Sequence, residues 1–156
     1  MNNLNDIGGK KNALIILVGP PASGKSTWGK DFAQKNNMVY VSTDEIRGQI
    51  GKGEDDQSVS AAAHMIAQKR VREALTLGKN VMIDATNCDG DARRPYVKMA
   101  KEHNAYKIAV TFEVSRDELL KRNAQRKRQV SSEIIDLFLK KYSRPSTVNF
   151  DKVIVK

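Results

Sequence analysis

The sequence predicts an α/β fold in which a five-stranded parallel sheet is flanked by helices. Apolar, strand-like runs alternate with helical stretches along the chain, which is the layout of parallel α/β proteins. The run 13–18 is unbroken and apolar, as expected of a strand buried on both faces, and a glycine-containing loop and a helix follow it. No internal repeat or low-complexity segment interrupts this alternation. The predicted strands are 13–18, 38–42, 80–84, 106–114 and 148–155.

Length and composition predict one folded domain, covering residues 12–156. A chain of 156 residues can bury a core but is short for two domains. Residues 1–11 are polar, contain glycine and lack the apolar core of a signal peptide, so we expect a flexible leader there. No apolar run approaches the ~18 residues of a membrane span, so we expect no membrane partner and a cytoplasmic location. Cys88 is the only cysteine, which excludes an intramolecular disulfide and a cysteine-rich zinc site.

Capping residues and glycines predict where the helices begin and end. Gly78 closes a long alanine-rich helix, and Ser115 opens a capping box. Pro95 falls inside a predicted helix, where we expect it to be tolerated only in the first turn. Residues 48–57 contain three glycines and three acids and predict a loop. The predicted helices are 27–36, a short one at 43–47, 59–77, 91–102, 115–125 and 131–142.

The loop after the first strand carries the strongest functional signal. Residues 19–26 match the phosphate-binding pattern G-x-x-x-x-G-K-[S/T] at every fixed position. Glycines there allow successive backbone N–H groups to converge on one anion, and the following helix adds its positive dipole end. A chance match in an ordinary turn is disfavoured, because a strand precedes the pattern and a helix follows it. We expect ATP or another nucleoside triphosphate, bound by Gly19, Ala22, Ser23, Gly24, Lys25, Ser26 and Thr27.

Two side chains of this loop have expected chemical roles. Lys25 should reach the β and γ phosphates as a catalytic cation, and the Ser26 hydroxyl should ligate Mg²⁺. Asp84, at the end of the third predicted strand, is the second candidate magnesium ligand. Its alternative role is a hydrogen bond that holds the following loop.

Asp44 is the candidate general base. It follows the second predicted strand, and ligands of open parallel sheets lie beyond the carboxyl ends of the strands. A kinase needs a carboxylate that orients and deprotonates the attacking hydroxyl. The alternative for Asp44 is an N-terminal helix cap.

Cationic residues predict contacts with phosphates. The chain has a formal net charge of +9, and its stretch 116–144 contains nine cations against four carboxylates, which we interpret as a basic lid. Arg122 and Arg126 of this stretch are candidates for meeting the charge that develops during phosphoryl transfer. Arg47 shares a helix face with Asp44 and could grip an acceptor phosphate, or simply pair with Asp44 or Glu45. A solvated helix face and plain solubility remain alternatives for the basic stretch.

Several motifs together resemble the 5′-hydroxyl polynucleotide kinases of phages and bacterial RNA-repair systems, which have a P-loop kinase fold. The resemblance covers about residues 14–135. It rests on the phosphate loop continued as Ser26-Thr27-Trp28, Asp44-x-x-Arg47, Asp84-Ala85-Thr86-Asn87 followed by Arg93, and Arg122-Asn123-Ala124-Gln125-Arg126.

The resemblance implies transfer of the ATP γ-phosphate to the 5′-OH end of RNA or DNA. It implies Asp44 as the general base and Arg126 as a catalytic lid arginine that grips the donor phosphates. The substrate-binding residues that it implies are Arg47, Asp84, Thr86, Asn87 and Arg93.

Two other functions stay open at this point. A small-molecule or nucleoside kinase of the same superfamily would share the phosphate loop and the Asp84 region. A binding module switched by nucleotide would need the loop but not Asp44 as a base. The sequence separates neither RNA from DNA acceptors nor one oligomeric state from another.

Overall fold

The computed structural model describes residues 12–156, so the leader predicted over 1–11 lies outside the described residues. The strands are β1 (Ala13–Val18), β2 (Val39–Ser42), β3 (Val81–Asp84), β4 (Tyr106–Thr111) and β5 (Lys152–Val155). The helices are α1 (Lys25–Lys35), α2 (Thr43–Ile50), α3 (Ser60–Thr76), α4 (Gly90–Glu102), α5 (Arg116–Ala124) and α6 (Ser132–Lys141).

The five strands form one parallel sheet in the order β2-β3-β1-β4-β5, which confirms the predicted fold class. β1 lies in the middle, where Leu17 is in register with Asp84 of β3 and Val110 of β4. Because all strands run in one direction, their carboxyl ends meet at one edge of the sheet. The segments that follow β1, β2 and β3 therefore lie close together.

Helices pack on both faces of the sheet. Alternate residues of β1 point to opposite sides and therefore contact both groups of helices. Ile16 belongs to a buried cluster with Val71 of α3 and Met99 of α4. Ile15 belongs to a second cluster with Phe32 of α1. All of β1 is fully buried, as its unbroken apolar sequence predicted.

The loop predicted over 48–57 is shorter than expected, because α2 continues to Ile50. Ser42 caps this helix, and its hydroxyl accepts a hydrogen bond from the Glu45 N–H at 3.2 Å. A Cβ atom at Gly48 would lie 3.1 Å from Cγ of Glu54. The missing side chain thus lets the following loop fold back against the helix, which offsets the low helix propensity of glycine.

The expectation that Pro95 is tolerated only in the first helical turn was wrong. Pro95 is in the second turn of α4, which begins at Gly90. Proline removes the N–H that would bond to the Asp91 carbonyl, and Asp91 is exposed, so water can satisfy that carbonyl. Asp89 stabilises the helix start, where its carboxylate accepts from the Ala92 N–H at 2.8 Å.

The last two strands are shorter than predicted. β4 ends at Thr111, and β5 begins only at Lys152. Residues 147–149 form a turn instead of a strand, in which the Asn149 N–H donates to the Ser146 carbonyl at 3.1 Å. Apolar residues alternate here as they do in a strand, so the sequence pattern did not predict this turn.

Within residues 12–156, no helix is long and apolar enough to cross a bilayer. The longest helix, α3, has 17 residues and carries several charges.

Tyr96 of α4 provides a test of the core. Its hydroxyl is buried without a hydrogen-bond partner among the described residues. Because an unpaired buried polar group costs about 1–3 kcal/mol, we expect Tyr96→Phe to raise the free energy of unfolding by about 1 kcal/mol at pH 7. Urea denaturation measures this change, and a loss of more than about 1 kcal/mol would mean that the hydroxyl has a partner.

The same side chain predicts a pH dependence of stability. Burial raises the pKa of Tyr96 from 10.0 to about 12. Below pH 10 the phenol is neutral in both states, whereas at higher pH the unfolded chain ionises first, so wild-type stability is lost as the pH rises toward 12. The stability advantage of Tyr96→Phe should therefore grow across this window. A constant advantage in urea melts at pH 9, 10 and 11 would contradict this expectation.

Candidate active site

The phosphate loop connects β1 to α1 and is shaped by its backbone. Gly24 has φ of 88° and Ala22 has φ of 69°, both in the left-handed region. No side chain caps the start of α1, so its first N–H groups are available to an anion. The Gly19 N–H donates to the Thr86 carbonyl at 2.9 Å, which ties the loop to the segment after β3. The Ser23 hydroxyl is buried without a partner among the described residues.

A cavity of about 710 Å³ lies over this loop at the carboxyl edge of the sheet. It brings together the phosphate loop, the start of α2, the end of β3 and the basic stretch 116–144. Of the predicted site residues, those that line it are Ala22, Ser23, Gly24, Lys25, Ser26, Thr27, Asp44, Arg47, Asp84, Thr86, Arg122 and Arg126. Gly19 lies beneath the loop, where its Cβ would meet the Ser23 hydroxyl at 2.8 Å.

Asp84 is held by a tyrosine from the neighbouring strand. The Tyr40 hydroxyl donates to Oδ2 of Asp84. Burial, followed by the Asp84 carboxylate, raises the pKa of Tyr40 well above its usual range, while the Ser26 hydroxyl lowers it. Tyr40 thus remains a protonated donor between Ser26 and Asp84. The alternative role of Asp84 required a hydrogen bond to the following loop, and its side chain makes none there. Within residues 12–156, the Asp84 Oδ1 atom has no hydrogen-bond donor.

Asp44 stands between two arginines. Arg47 donates through Nη2 to Oδ1 of Asp44, and Nη2 of Arg128 lies 3.1 Å from Oδ2. Ser42 caps α2, so Asp44 does not have the capping role that was its alternative. A carboxylate has about four acceptor positions, so both oxygens can still accept a further hydrogen bond.

Glu54 closes one side of this cluster. Its carboxylate pairs with Nη1 of Arg128, and its carbonyl accepts from Nε of Arg47 at 2.8 Å. Glu45 pairs with Lys30 instead of Arg47. The loop after α2 and the basic stretch are therefore joined through Asp44 and Glu54.

Arg122 and Arg126 face the phosphate loop from the basic stretch. Nη1 of Arg122 donates to the Ser23 carbonyl at 3.2 Å. Nη1 of Arg126 is buried without a partner among the described residues. Burial, and then the neighbouring Arg128, lower the pKa of Arg126 from its ordinary value. An anion in the cavity would satisfy this guanidinium.

Two predicted substrate-binding residues do not line the cavity. Asn87 is buried, and its amide donates to the Leu17 carbonyl at 2.9 Å. Arg93 is also buried, and it donates to the Asn87 carbonyl at 2.8 Å and to the Ser143 hydroxyl at 3.1 Å. Both side chains stabilise the loop after β3. Thr86, which precedes Asn87 in that loop, does line the cavity.

Sequence reasoning missed four residues of the site: Tyr40, Glu54, His64 and Arg128. His64 lines the cavity from α3. Arg128 lies two residues after Arg126 in the basic stretch. This short distance in sequence was the one signal that could have identified Arg128 as a site residue. Cys88 also lines the cavity, and burial raises the pKa of its thiol to about 11, which disfavours the reactive thiolate at neutral pH.

Comparison with protein families gives a match over most of the chain. The family model described as an AAA domain matches residues 14–145. The chain belongs to this family. The sheet and the phosphate loop have the P-loop kinase fold that was expected.

Curated relatives are kinases that act on different acceptors. The L-seryl-tRNA(Sec) kinase of Methanococcus maripaludis is 30% identical over 141 residues, which are 86% of this chain and 54% of that protein. An inferred bifunctional polynucleotide phosphatase/kinase of Acanthamoeba polyphaga mimivirus is 30% identical over 112 residues, which are 72% of this chain and 23% of that protein. The chain thus spans about half of the first relative and about a quarter of the second. Adenylate kinases are also similar to this chain. The one from Mycobacterium sp. is 26% identical, and the match covers 85% of this chain and 81% of that protein.

A solved structure with similar architecture belongs to the Pnkp1/Rnl/Hen1 RNA repair complex. Its TM-score is 0.72 at 28% identity, and the match covers 84% of this chain and 44% of that chain. The resemblance to the polynucleotide kinases is confirmed by this similarity and by the mimivirus relative.

The placement of Asn87 leads to a test. Asn87→Ala removes a buried hydrogen bond. It also places alanine at a backbone φ of 46°, which asparagine tolerates better. We expect it to lower the free energy of unfolding by about 1–3 kcal/mol, measured by urea denaturation. Thr86→Ala is the matched control, because Thr86 is half-buried and faces the cavity; it should change stability by less than about 0.5 kcal/mol. Equal stability of the two variants would indicate that the Asn87 bond contributes nothing.

Proposed function

We propose that the protein catalyses ATP-dependent phosphorylation of the 5′-OH end of RNA or DNA. The observation that carries this proposal is the shared cavity: Asp44 and Arg47 face the same space as Lys25 and Ser26 of the phosphate loop. A base and a phosphate-binding arginine thus stand beside the bound donor.

The donor phosphates are held by the loop N–H groups, Lys25 and the two arginines of the basic stretch. Within the described residues, no carboxylate forms an ion pair with the Lys25 ammonium, which is therefore free to bind phosphate oxygens. Arg126 brings a buried, unpartnered nitrogen to the same cavity. Arg122 approaches from the Ser23 side.

Asp44 orients the acceptor hydroxyl and takes its proton. Each of its carboxylate oxygens already accepts from one arginine, so the acceptor hydroxyl uses one of the remaining lone pairs. Arg47 uses two of its five N–H donors on Asp44 and Glu54. Its remaining donors can bind the phosphate that follows the 5′ nucleoside.

The residues present fit Mg²⁺. Ser26 and Asp84 supply a hydroxyl and a carboxylate oxygen, which are the hard donors that this ion prefers. Within residues 12–156, no group of three or more histidine, cysteine or acidic side chains forms a metal cage. A site with two protein oxygens suits an ion that keeps several waters and binds substrate phosphates. When bound, Mg²⁺ would neutralise charge on the β and γ phosphates.

The acceptor class is supported by charge and by similarity. A net charge of +9 favours a polyanionic acceptor. Both the mimivirus relative and the RNA repair complex point toward nucleic acid. A small-molecule kinase is the second candidate, and the similarity to adenylate kinases favours it.

A transfer assay tests the proposal. The full chain is incubated with γ-labelled ATP, Mg²⁺ and short 5′-OH strands of RNA or DNA, and Lys25→Ala is the control. We expect label at the 5′ end and none with the variant. Label on adenosine or AMP but not on strands would establish the second candidate, and ATP-dependent binding without any transfer would establish a nucleotide-switched module.

Asp44→Asn tests the assigned base. The change keeps the shape of the side chain but removes its basicity, so kcat should fall by about 10²–10⁴-fold while the Kd for ATP stays within about twofold. Single-turnover transfer and ATP titration measure the two effects. If ATP binding collapses together with turnover, Asp44 belongs to the donor site and is not the base.

Arg47→Ala separates acceptor binding from chemistry. Loss of a charged contact to an acceptor phosphate should raise KM for the strand about tenfold or more, with a smaller effect on kcat. Steady-state kinetics over a range of strand concentrations give both values. A change in KM for ATP alone would contradict the assignment.

A further inference from the structure

A second groove lies beside the cavity and plays no part in the chemistry described above. It has a volume of about 580 Å³ and runs between α4 and the segment 143–150. None of the described residues that line it carries a carboxylate, whereas five carry a positive charge. These cations are Arg93, Arg94, Lys98, Lys101 and Arg144.

The groove adjoins the cavity on two segments of the chain. Ala92 lines the cavity and the next residue, Arg93, lines the groove. Likewise, Lys141 lines the cavity and Ser143 lines the groove. The Ser143 N–H donates to the carbonyl of Cys88, a cavity residue, at 2.8 Å. The two spaces therefore adjoin each other along these segments.

The exposed cations of α4 lie on one face. Arg94, Lys98 and Lys101 follow the spacing i, i+4, i+7, which aligns them over about 10 Å, the axial rise of about three stacked nucleotides. The side chains of Arg94 and Lys98 are 75% and 77% exposed, and their carboxylate partners, Asp91 and Glu102, are exposed as well. Such pairs are weak, so a phosphate can replace the carboxylate.

The groove also offers neutral hydrogen-bonding groups. Ser143, Ser146 and Asn149 line it opposite the helix cations. Hydroxyl and amide side chains are common partners of phosphates and sugars in nucleic-acid complexes. A concave groove with this lining suits a single strand better than a flat, anionic lipid surface.

The geometry points to this groove as the binding surface for the sugar–phosphate backbone of a nucleic-acid strand whose 5′ end occupies the cavity. This inference rests on the proposed function and extends it, because it assigns a place to the nucleotides downstream of the phosphorylated one. Arg93, which is buried and bonded to Asn87 and Ser143, lies where the two spaces adjoin. The exposed cations of α4 make the contacts, whereas Arg144 is paired with Glu113.

The test compares two variants of the full chain with equal loss of charge. The groove variant carries Arg94→Ala, Lys98→Ala and Lys101→Ala, and the control carries Lys69→Ala, Arg72→Ala and Lys79→Ala, three exposed cations that line neither space. The probes are 3′-labelled 5′-OH strands of three and fifteen nucleotides. Fluorescence anisotropy gives binding without ATP at several salt concentrations, and transfer kinetics give kcat and KM. ATP binding by each variant checks that the fold is intact.

We expect the groove variant to bind the fifteen-nucleotide strand about tenfold more weakly than the control does. The slope of log K against log salt should fall by about 2, as expected for three lost phosphate contacts on a single strand. Binding of the three-nucleotide strand, kcat and KM for ATP should stay unchanged. Equal weakening in both variants, or the same loss for short and long strands, would overturn the inference.

Failure of the proposed function gives a different result. If the wild type binds the long strand through the groove but transfers phosphate to no strand, the binding surface stands and the kinase assignment fails. If the wild type binds neither strand, the groove inference fails. Vesicles that contain phosphatidylserine serve as a further probe, and the inference also fails if the groove variant loses binding to them but not to the strands.

Discussion

The site depends on two hydrogen bonds that join the end of β1 to the segment after β3. The Gly19 N–H donates to the Thr86 carbonyl, and the Asn87 amide donates to the Leu17 carbonyl. They fix the phosphate loop relative to Asp84, and both strands belong to the same buried sheet. The loop and the candidate magnesium ligands therefore share one rigid support. One of these bonds is between backbone groups, and the other comes from the Asn87 side chain.

Much of the fold was predictable because its signals are local. An unbroken apolar run indicated the buried β1, and Ser115 was a recognisable helix cap that the structure reproduces. The extension of α2 past Gly48 was not predictable, since it depends on Glu54 packing where a side chain is missing. Pro95 likewise lies inside α4, where the carbonyl that loses its donor belongs to an exposed residue, Asp91.

The site was predictable only in part. The phosphate loop is a contiguous motif, and Asp44 follows a recognisable strand. Tyr40 reaches Asp84 across 44 positions of sequence, and Arg128 reaches Asp44 across 84, so these pairs appear only when the chain folds. Asn87 and Arg93 show the opposite difficulty: their motif resembled a ligand site, but their side chains satisfy buried carbonyls. A sequence pattern alone cannot separate those two uses of the same donor groups.

The two border strands of the sheet are short. β2 and β5 are the outer strands, and each has only four residues, a length of about 13 Å. Unpaired backbone groups on outer strands can template pairing with another molecule. Four residues offer few such groups, so a foreign strand gains little by adding to either border. β1 is longer and fully apolar, so its exposed edge would promote aggregation. It lies between β3 and β4, which keeps it away from intermolecular contact.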